Sequence, residues 1–533
     1  MAELHRPEAS RLARMLVKEH FGEAVEAAFA ALLLRGQQRL PELEKSSGLS
    51  TDLLKKTVLV LMQHSLAIAY KVVPEAGPLH YIYRASVAEA LHFMRKPFIL
   101  RCVEEDNADK DELNSSVCQQ ITQALLENGR LRYDQLLLYV AKQQEAEERE
   151  LAETVQACFL KLLHLQQLER AFPCDLPPPV DPKRVAAMRA KKPPKQGTLE
   201  EQRMLADMAV EAAYAAYSSE RFQAPDFAAP PFHPKPGDKR GRGDEAAEPV
   251  LFRLNYEEFT RRARYEQCVE IVETMHGKES GQLVSALLRA GAGQAAEAAE
   301  GESPALTAHE VVAATRGKHD YPAWDKHAVL SALRQLEAED TGVLVNHEEA
   351  GRAYVKFALA TGRVLEMAQD RMIDKVVHDR HGLIGLRVFR LLRDKKQLEQ
   401  KQVAEQAVLP PKEANVVLYT LLKGGFVSIQ DIPKLPDHAA SRTFFTWSVN
   451  RAAVVSKMIG EYLKAAGNIR ARLDFAFNQH SQVLKLLMGP NAEAASRQLT
   501  AAQRAGVAEF RRTKLVLEGR FLALDPMFAL YFD

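Results

Sequence analysis

The sequence has few cysteines, and their arrangement argues against two kinds of site. In a chain of 533 residues the five cysteines are far apart, and no two of them form a CxxC pair. A disulfide framework needs a denser, even set, and a structural zinc site needs closely spaced pairs, so we expect neither. This usage fits a reducing compartment. The five positions are Cys102, Cys118, Cys158, Cys174 and Cys268.

Long apolar runs and a surplus of charge of one sign are missing too. No run approaches the roughly 18 apolar residues of a membrane-spanning helix. The first residues, MAELHRPEASRLARML, carry charges where a signal peptide has its apolar core. We therefore expect a soluble intracellular protein. Lys and Arg total 71 against 70 for Asp and Glu, so any contact with nucleic acid is expected to be local.

Sequence motifs of common enzyme classes are not found. The chain has no GxxxxGK[ST], no GxGxxG after a strand, no HExxH and no GxSxG. His378 and His381 are candidate metal ligands, but no third or fourth ligand has a recognisable spacing, which favours an ordinary helix and turn. We predict no catalytic residue, no metal site and no cofactor.

Proline divides the chain. Half of the 26 prolines lie between Pro173 and Pro249, in a stretch with little apolar periodicity. Such a segment cannot bury enough apolar surface to offset the entropy lost on ordering. We predict a mostly disordered, partly basic linker over residues 173–249, with one short helix from Leu199 to Tyr217.

An internal repeat is the strongest pattern. When the sequence is shifted by 360 positions, apolar residues match without a gap from Val17 to Leu66, and the turn Gly48-Leu49-Ser50 meets Val408-Leu409-Pro410. The matched pairs include Val17 with Val377, Gly22 with Gly382, Phe29 with Phe389, Leu54 with Ala414 and Leu66 with Phe426.

Each repeat unit has the order of a winged helix. A helix, a short helix, a tight turn and a longer helix are followed by two strand-like runs, SLAIAYKVV with HYIYR and GFVSIQDI with SRTFFTWSV. Two weaker copies lie between. We predict a mostly α fold with small β wings, in which tandem winged helices precede a C-terminal coiled coil or helical hairpin. The last residues, RFLALDPMFALYFD, are apolar enough to need a partner surface. The expected winged helices cover residues 8–100, 112–172, 250–358 and 360–449, and the hairpin covers 450–533.

Three segments carry a resemblance to a known family. EHFGE (19–23), KQLEQKQVAEQA (396–407) and DIPKLPDHAASRTF (431–444) resemble the third-largest subunit of eukaryotic RNA polymerase III, and the order of parts is similar over the whole chain. The resemblance implies a nuclear, non-catalytic subunit, similar in architecture to the large subunit of the general factor TFIIE.

The resemblance also implies partners. Members of the family form a heterotrimer with two smaller polymerase-III-specific subunits and sit on the clamp of the polymerase core. They help recruit TFIIIB and open promoter DNA for transfer RNA, 5S ribosomal RNA and other short RNAs. We expect non-specific contact with promoter DNA, and neither a membrane nor a small-molecule substrate.

Two other classes of protein are alternatives. A cullin-like or proteasome-lid-like scaffold would place long helical repeats ahead of one terminal winged helix, whereas this chain has the pattern at both ends. A sequence-specific transcription factor would concentrate Arg, Asn and Gln on one recognition helix, which is the third helix of a winged helix. This chain does not concentrate them there.

Basic residues supply the candidate contacts. The first recognition helix offers Lys55 and Lys56 and the fourth offers Lys412, each beside an acidic residue, so a solvated face or a protein contact is favoured over base readout. For Arg387 and Arg390, which recur at helical spacing, an exposed face paired with carboxylates is favoured over phosphate contact. The linker runs could contact phosphates, be recognised by an import receptor, or only keep the linker soluble. Their residues are Lys183, Arg184, Lys191, Lys192 and Lys195.

Overall fold

A computed structural model gives the fold of most of the chain. It describes residues 6–72, 79–107, 112–145, 148–173, 176–180, 199–227, 250–294, 298–315, 324–339, 341–347, 355–433, 443–487, 489 and 497–532. The chain forms two compact units, Ser10–Arg261 and Met1–Ala9 with Arg262–Asp533. No helix within the described ranges combines the length and the apolar character needed to cross a bilayer.

The first winged helix opens the Ser10–Arg261 unit. Its three strands form an antiparallel sheet in the order β1-β3-β2. Leu16, Phe29, Leu43 and Leu54 are fully buried beneath the sheet and helices, as the apolar spacing of the sequence requires. The elements are α1 (Pro7–Phe21), α2 (Glu23–Arg35), β1 (Gln38–Arg39), α3 (Leu40–Ser47), α4 (Thr51–Gln63), β2 (Ala67–Val72) and β3 (His80–Ala85).

The second winged helix has its wing closed by a distant strand. The strand Phe252–Leu254 was expected to belong to the third winged helix. It pairs instead with the strand Leu168–Arg170 of the second, in the register Leu168↔Leu254 and Arg170↔Phe252. The physical reason is that Phe252 and Leu254 are buried in the core of the second winged helix. The elements are α5 (Val87–Leu91), a 3-10 turn (His92–Arg95), α6 (Lys96–Glu105), α7 (Glu112–Asn128), α8 (Tyr133–Gln144), α9 (Glu148–His164), β4 (Leu168–Arg170), α10 (Leu199–Glu220) and β5 (Phe252–Leu254).

The linker is therefore an insertion between the two strands of this wing. Its predicted helix is present as α10 and ends slightly later than expected. The Tyr217 hydroxyl donates to the Arg170 carbonyl at 3.1 Å, and its ring packs edge-on against Phe172 at 5.3 Å. The disorder expected of the linker concerns mainly residues 181–198 and 228–249, which lie outside the described residues.

Two further winged helices lie in the second unit. Their sheets have the orders β6-β8-β7 and β10-β11-β9, and the long helix α15 is broken at Gly382. The elements are α11 (Tyr256–His276), which begins in the first unit, α12 (Lys278–Ala290), β6 (Leu306–Thr307), α13 (Ala308–Thr315), α14 (Lys326–Ala338), β7 (Leu344–His347), β8 (Lys356–Leu359), α15 (Thr361–Lys395), β9 (Gln397–Glu399), α16 (Gln400–Gln406), α17 (Pro411–Lys423), β10 (Ser428–Pro433) and β11 (Thr443–Ser448).

One local contact recurs at the start of the second helix in all four winged helices. The backbone N–H of the residue before the helix donates to a Glu or Gln side chain three residues later, which satisfies a donor that the helix leaves unpaired. The pairs are Arg39 with Glu42 at 3.0 Å, Arg132 with Gln135 at 3.1 Å, Thr307 with Glu310 at 2.7 Å and Glu399 with Gln402 at 3.0 Å.

The C-terminal helices are α18 (Arg451–Gln479), α19 (Ser481–Leu487), α20 (Ala501–Leu522) and α21 (Asp525–Tyr531). Arg470 lies over the Phe521 ring at 4.0 Å and Phe477 packs on Phe510 at 6.1 Å, so α18 and α20 run antiparallel. The predicted fold class, tandem winged helices followed by a helical hairpin, is confirmed.

The apolar end of the chain finds its partner surface inside the same unit. Helix α21 buries Phe528, Leu530 and Tyr531. Arg264 donates to the Ala529 carbonyl at 3.1 Å, and Gln369 donates to the Leu530 carbonyl at 2.7 Å. Side chains of α11 and α15 therefore hold the backbone of α21.

Candidate interaction surfaces

The predicted basic residues of the recognition helices are exposed and sparse. Lys55 and Lys56 lie on the outer face of α4, and Lys412 lies near the start of α17. The first pair shares its helix face with Leu59, which is one of the exposed large apolar residues. The structure thus brings together no cluster of basic and amide side chains on either helix, which base readout would need.

The arginines of α15 take part in contacts within the protein. Arg390 donates from Nε to the Asp374 carboxylate at 2.8 Å, and Arg393 donates to the same carboxylate at 2.9 Å. Arg387 donates to the Ala407 carbonyl at 3.3 Å. Asp374 is buried, so these charges stabilise the two halves of α15 against each other instead of forming a free cationic row.

The five basic linker residues, Lys183, Arg184, Lys191, Lys192 and Lys195, lie outside the described residues.

The two histidines considered as metal ligands have separate surroundings. His378 lies beside Asp379, with 3.5 Å between ring and carboxylate. His381 packs edge-on against Phe426 at 5.4 Å, and burial, with help from Lys457 and Arg380, lowers its pKa. Among the described residues, no three His, Cys, Asp or Glu side chains are grouped closely enough to hold a metal ion.

A buried ionic cluster that the sequence analysis missed holds α10 on the second wing. Glu169 of β4 is 1% exposed and accepts from both Arg221 and Arg253, the latter at 2.6 Å. Arg253 of β5 also pairs with Glu89 of α5 at 2.8 Å. Burial opposes the charge of Arg253, but Glu89 and Glu169 outweigh it and raise the pKa of the guanidinium. The cluster thus joins four segments that are remote in sequence, and spacing alone gives no signal for it.

Apolar side chains occupy the outer face of the fourth recognition helix. Val416 is 67% exposed and Tyr419 is 55% exposed. The Tyr419 ring packs edge-on against Trp447 of the wing at 5.4 Å, and Phe445, on the same strand, is half-exposed. Contiguous exposed apolar groups of this kind are typical of protein–protein contact.

Two family models match the chain. The model described as "POLR3C, C-terminal winged-helix domain" matches residues 373–449. The model described as "RNA polymerase III subunit RPC82 helix-turn-helix domain" matches residues 11–71. The two matches fall on the first and fourth winged helices, where the internal repeat was found.

Curated relatives extend the similarity to nearly the whole chain. The protein named "DNA-directed RNA polymerase III subunit RPC3" of Danio rerio is 28% identical over 515 residues, which cover 94% of this chain and 90% of the relative. Its namesake in Homo sapiens is 27% identical over 512 residues with the same coverage. The rpc3 protein of Dictyostelium discoideum is 24% identical over 244 residues, 45% of this chain and 37% of that protein.

Proposed function

This chain belongs to the family of RNA polymerase III subunit RPC3, and from that premise we propose that it is a nuclear, non-catalytic subunit of RNA polymerase III. It acts in initiation, as part of a heterotrimer with two smaller polymerase-III-specific subunits on the clamp of the core enzyme. There it supports recruitment of TFIIIB and opening of promoter DNA. The similarity to RPC3 proteins along the length of the chain supports this assignment.

The observation that carries the docking role is the character of the recognition helices. Leu59 in the first winged helix and Val416 and Tyr419 in the fourth are exposed where a DNA-reading helix presents basic and amide groups. Apolar side chains gain free energy by leaving water for a protein surface. The winged helices therefore act mainly as blocks that bind other proteins.

The proposed mechanism is positional. A subunit that fixes its partners and DNA beside the cleft favours the melted promoter because it binds that state more tightly than the closed one. Lys55 and Lys56, with the basic residues of the linker, would add weak, salt-dependent contacts to phosphates. Nucleotide addition would take place elsewhere in the enzyme.

Affinity purification and depletion test the assignment. The tagged full chain is purified from nuclear extract for mass spectrometry, and extract depleted of it is assayed for promoter-dependent transfer RNA synthesis. We expect polymerase III subunits to co-purify and transcription to need the subcomplex added back. Recovery of ubiquitin-ligase or proteasome-lid components, with transcription unchanged, would favour the scaffold alternative.

A further inference from the structure

A mixed stripe of charged and apolar residues runs along the outer face of α17. Lys412, Val416, Tyr419 and Lys423 are spaced by four, three and four residues, which places them on one side of the helix. All four are exposed. Neither lysine forms an ion pair with any residue that the structure describes. The stripe thus has two apolar side chains in its centre and one unpaired cation at each end.

The wing widens this stripe into a surface. Trp447 and Phe445 are two residues apart on β11 and point to the same face of the sheet. Trp447 packs against Tyr419, so Phe445, which is 50% exposed, continues the apolar surface beyond it. We call Val416, Tyr419 and Phe445, with Lys412 and Lys423 at their edges, the fourth-wing patch.

The patch has a composition that suits protein better than DNA. Val416 and Tyr419 occupy the centre of the helix face that would enter a major groove. Glu413 is exposed and follows Lys412 in the sequence, and Asp431 lies opposite Phe445 in the sheet. Phosphates would leave the three exposed apolar side chains in water, whereas an apolar surface would cover them.

The first winged helix lacks this arrangement. The positions equivalent to Lys412 and Lys423 are Asp52 and Gln63. Gln63 donates to the Asn128 carbonyl at 2.9 Å, so that end of α4 is already covered by the second winged helix. The two lysines are therefore not a general requirement of the fold.

We propose that the fourth-wing patch binds an acidic amphipathic helix of another protein in the polymerase III assembly, an inference that rests on the proposed function. Apolar side chains one turn apart on that helix pack against Val416, Tyr419 and Phe445, in the manner of a helix in a groove. Eleven positions separate Lys412 from Lys423, which is about 16 Å along a helix axis. Carboxylates about three turns apart on the partner reach both ammonium groups.

A peptide titration tests the chemistry of the patch. The probe is a fluorescein-labelled, helix-forming peptide of about twenty residues, with Leu at the positions of one face and Glu at both ends. Its controls are the same composition in scrambled order, a version with Lys in place of Glu, and duplex DNA. Anisotropy is measured with the full chain at about 50 mM and about 300 mM salt.

Variants show whether binding uses the patch. V416S/Y419S is expected to weaken binding of the acidic peptide at least about tenfold, because the apolar centre supplies most of the binding energy. K412E/K423E should weaken binding of this peptide about threefold to tenfold and remove the salt dependence of binding. L515S, which alters an exposed apolar residue of α20, is the matched control and should leave binding unchanged. Circular dichroism and thermal melts confirm that each variant is folded.

Cross-linking in the assembled enzyme separates this inference from the proposed function. Tyr419 is replaced by a photoreactive benzoylphenylalanine, and polymerase III purified through the tagged chain is irradiated. A cross-link to a glutamate- or aspartate-rich helical segment of another subunit supports the patch. A cross-link to nucleic acid or to this chain itself, or no cross-link although polymerase subunits co-purify, overturns it. In the peptide titration, the inference is also overturned if the acidic and basic peptides bind equally well, or if neither peptide binds. Failure of co-purification contradicts the proposed function instead.

Discussion

Gly22 and Gly382 occupy equivalent positions in the first and fourth winged helices and have the same backbone conformation, with φ 86° and ψ −179° in one and φ 71° and ψ −175° in the other. Each glycine joins a preceding helix to the first core helix of its winged helix. Gly277, before α12 in the third winged helix, has φ 91° and ψ 171°. This region of backbone conformation is almost restricted to glycine, so the sequence repeat reflects a repeated turn.

Replacing Gly382 should therefore be costly although no atom stands in the way. A Cβ at Gly382 meets nothing within 4 Å, so the penalty of Gly382→Ala is backbone strain of about 2 kcal/mol. Urea unfolding of the full chain measures the loss. Gly519→Ala is the control, because Gly519 lies in helix α20 with open space around it and alanine there should stabilise by about 0.5–1 kcal/mol. Equal effects of the two changes would contradict the strain argument.

Val408 is strained at a position where the first winged helix has glycine. Val408 has φ 53° and is 81% exposed, and its equivalent Gly48 has φ 70°. A β-branched residue is strongly disfavoured in this conformation. Val408→Gly should stabilise the folded chain by about 0.5–1 kcal/mol, since relief of strain exceeds the entropy that glycine adds to the unfolded chain.

The reciprocal change completes this test. Gly48→Val should destabilise by about 2 kcal/mol, and thermal unfolding of both single variants measures the asymmetry. If Val408→Gly were as destabilising as Gly48→Val, the left-handed conformation at Val408 would not be the source of the difference.

The sequence contains enough to predict the winged helices because their signals are local. Apolar spacing locates the cores around Phe29 and Phe389, and the Glu or Gln three residues into the second helix, as at Glu42 and Gln402, is a further local signal. The exposed face of α17 could also have been read by elimination, since Leu418 and Leu421 define its core side.

Long-range pairing is what the sequence could not supply. The partner of β4 lies beyond the linker. The residues of a short strand such as Phe252–Leu254 do not specify which strand edge it pairs with, because that choice depends on the whole core. The same holds for Glu169 and Arg253, whose approach depends on that pairing. Proline-rich composition marked the insertion but not the strands it separates.

His92 should make stability depend on pH. It stacks on Tyr256 with ring centroids 4.5 Å apart, and burial lowers its pKa to about 4 against the opposing effect of Glu89. Because the folded-state pKa is depressed, the unfolded chain binds a proton first as pH falls, and stability is lost between about pH 6.5 and pH 4.

A variant that lacks only His92 isolates this effect. Between pH 7.5 and pH 5 the contribution of His92 amounts to about 2 kcal/mol. His92→Phe keeps the ring stack and cannot be protonated. Over the same interval its free energy of unfolding should therefore fall by about 2 kcal/mol less than that of the wild type. Urea unfolding at the two pH values checks this. An identical pH dependence in the wild type and the variant would show that His92 remains accessible to protons in the folded state.

Glu169 is expected to control whether α10 stays on the second wing. It is the acceptor shared by Arg221, just after α10, and Arg253 of β5. Glu169→Gln leaves two largely buried guanidinium groups with one carboxylate fewer, and breaking a buried ionic pair costs about 3–5 kcal/mol. Hydrogen exchange of α10 backbone amides should accelerate as Arg221 loses its buried partner. Glu220→Gln is the matched control, because Glu220 pairs with Arg170 at an exposed site, where about 0–1 kcal/mol is expected. If the two variants exchanged alike, the hydrogen bonds and ring contacts of Tyr217 would suffice to hold the helix.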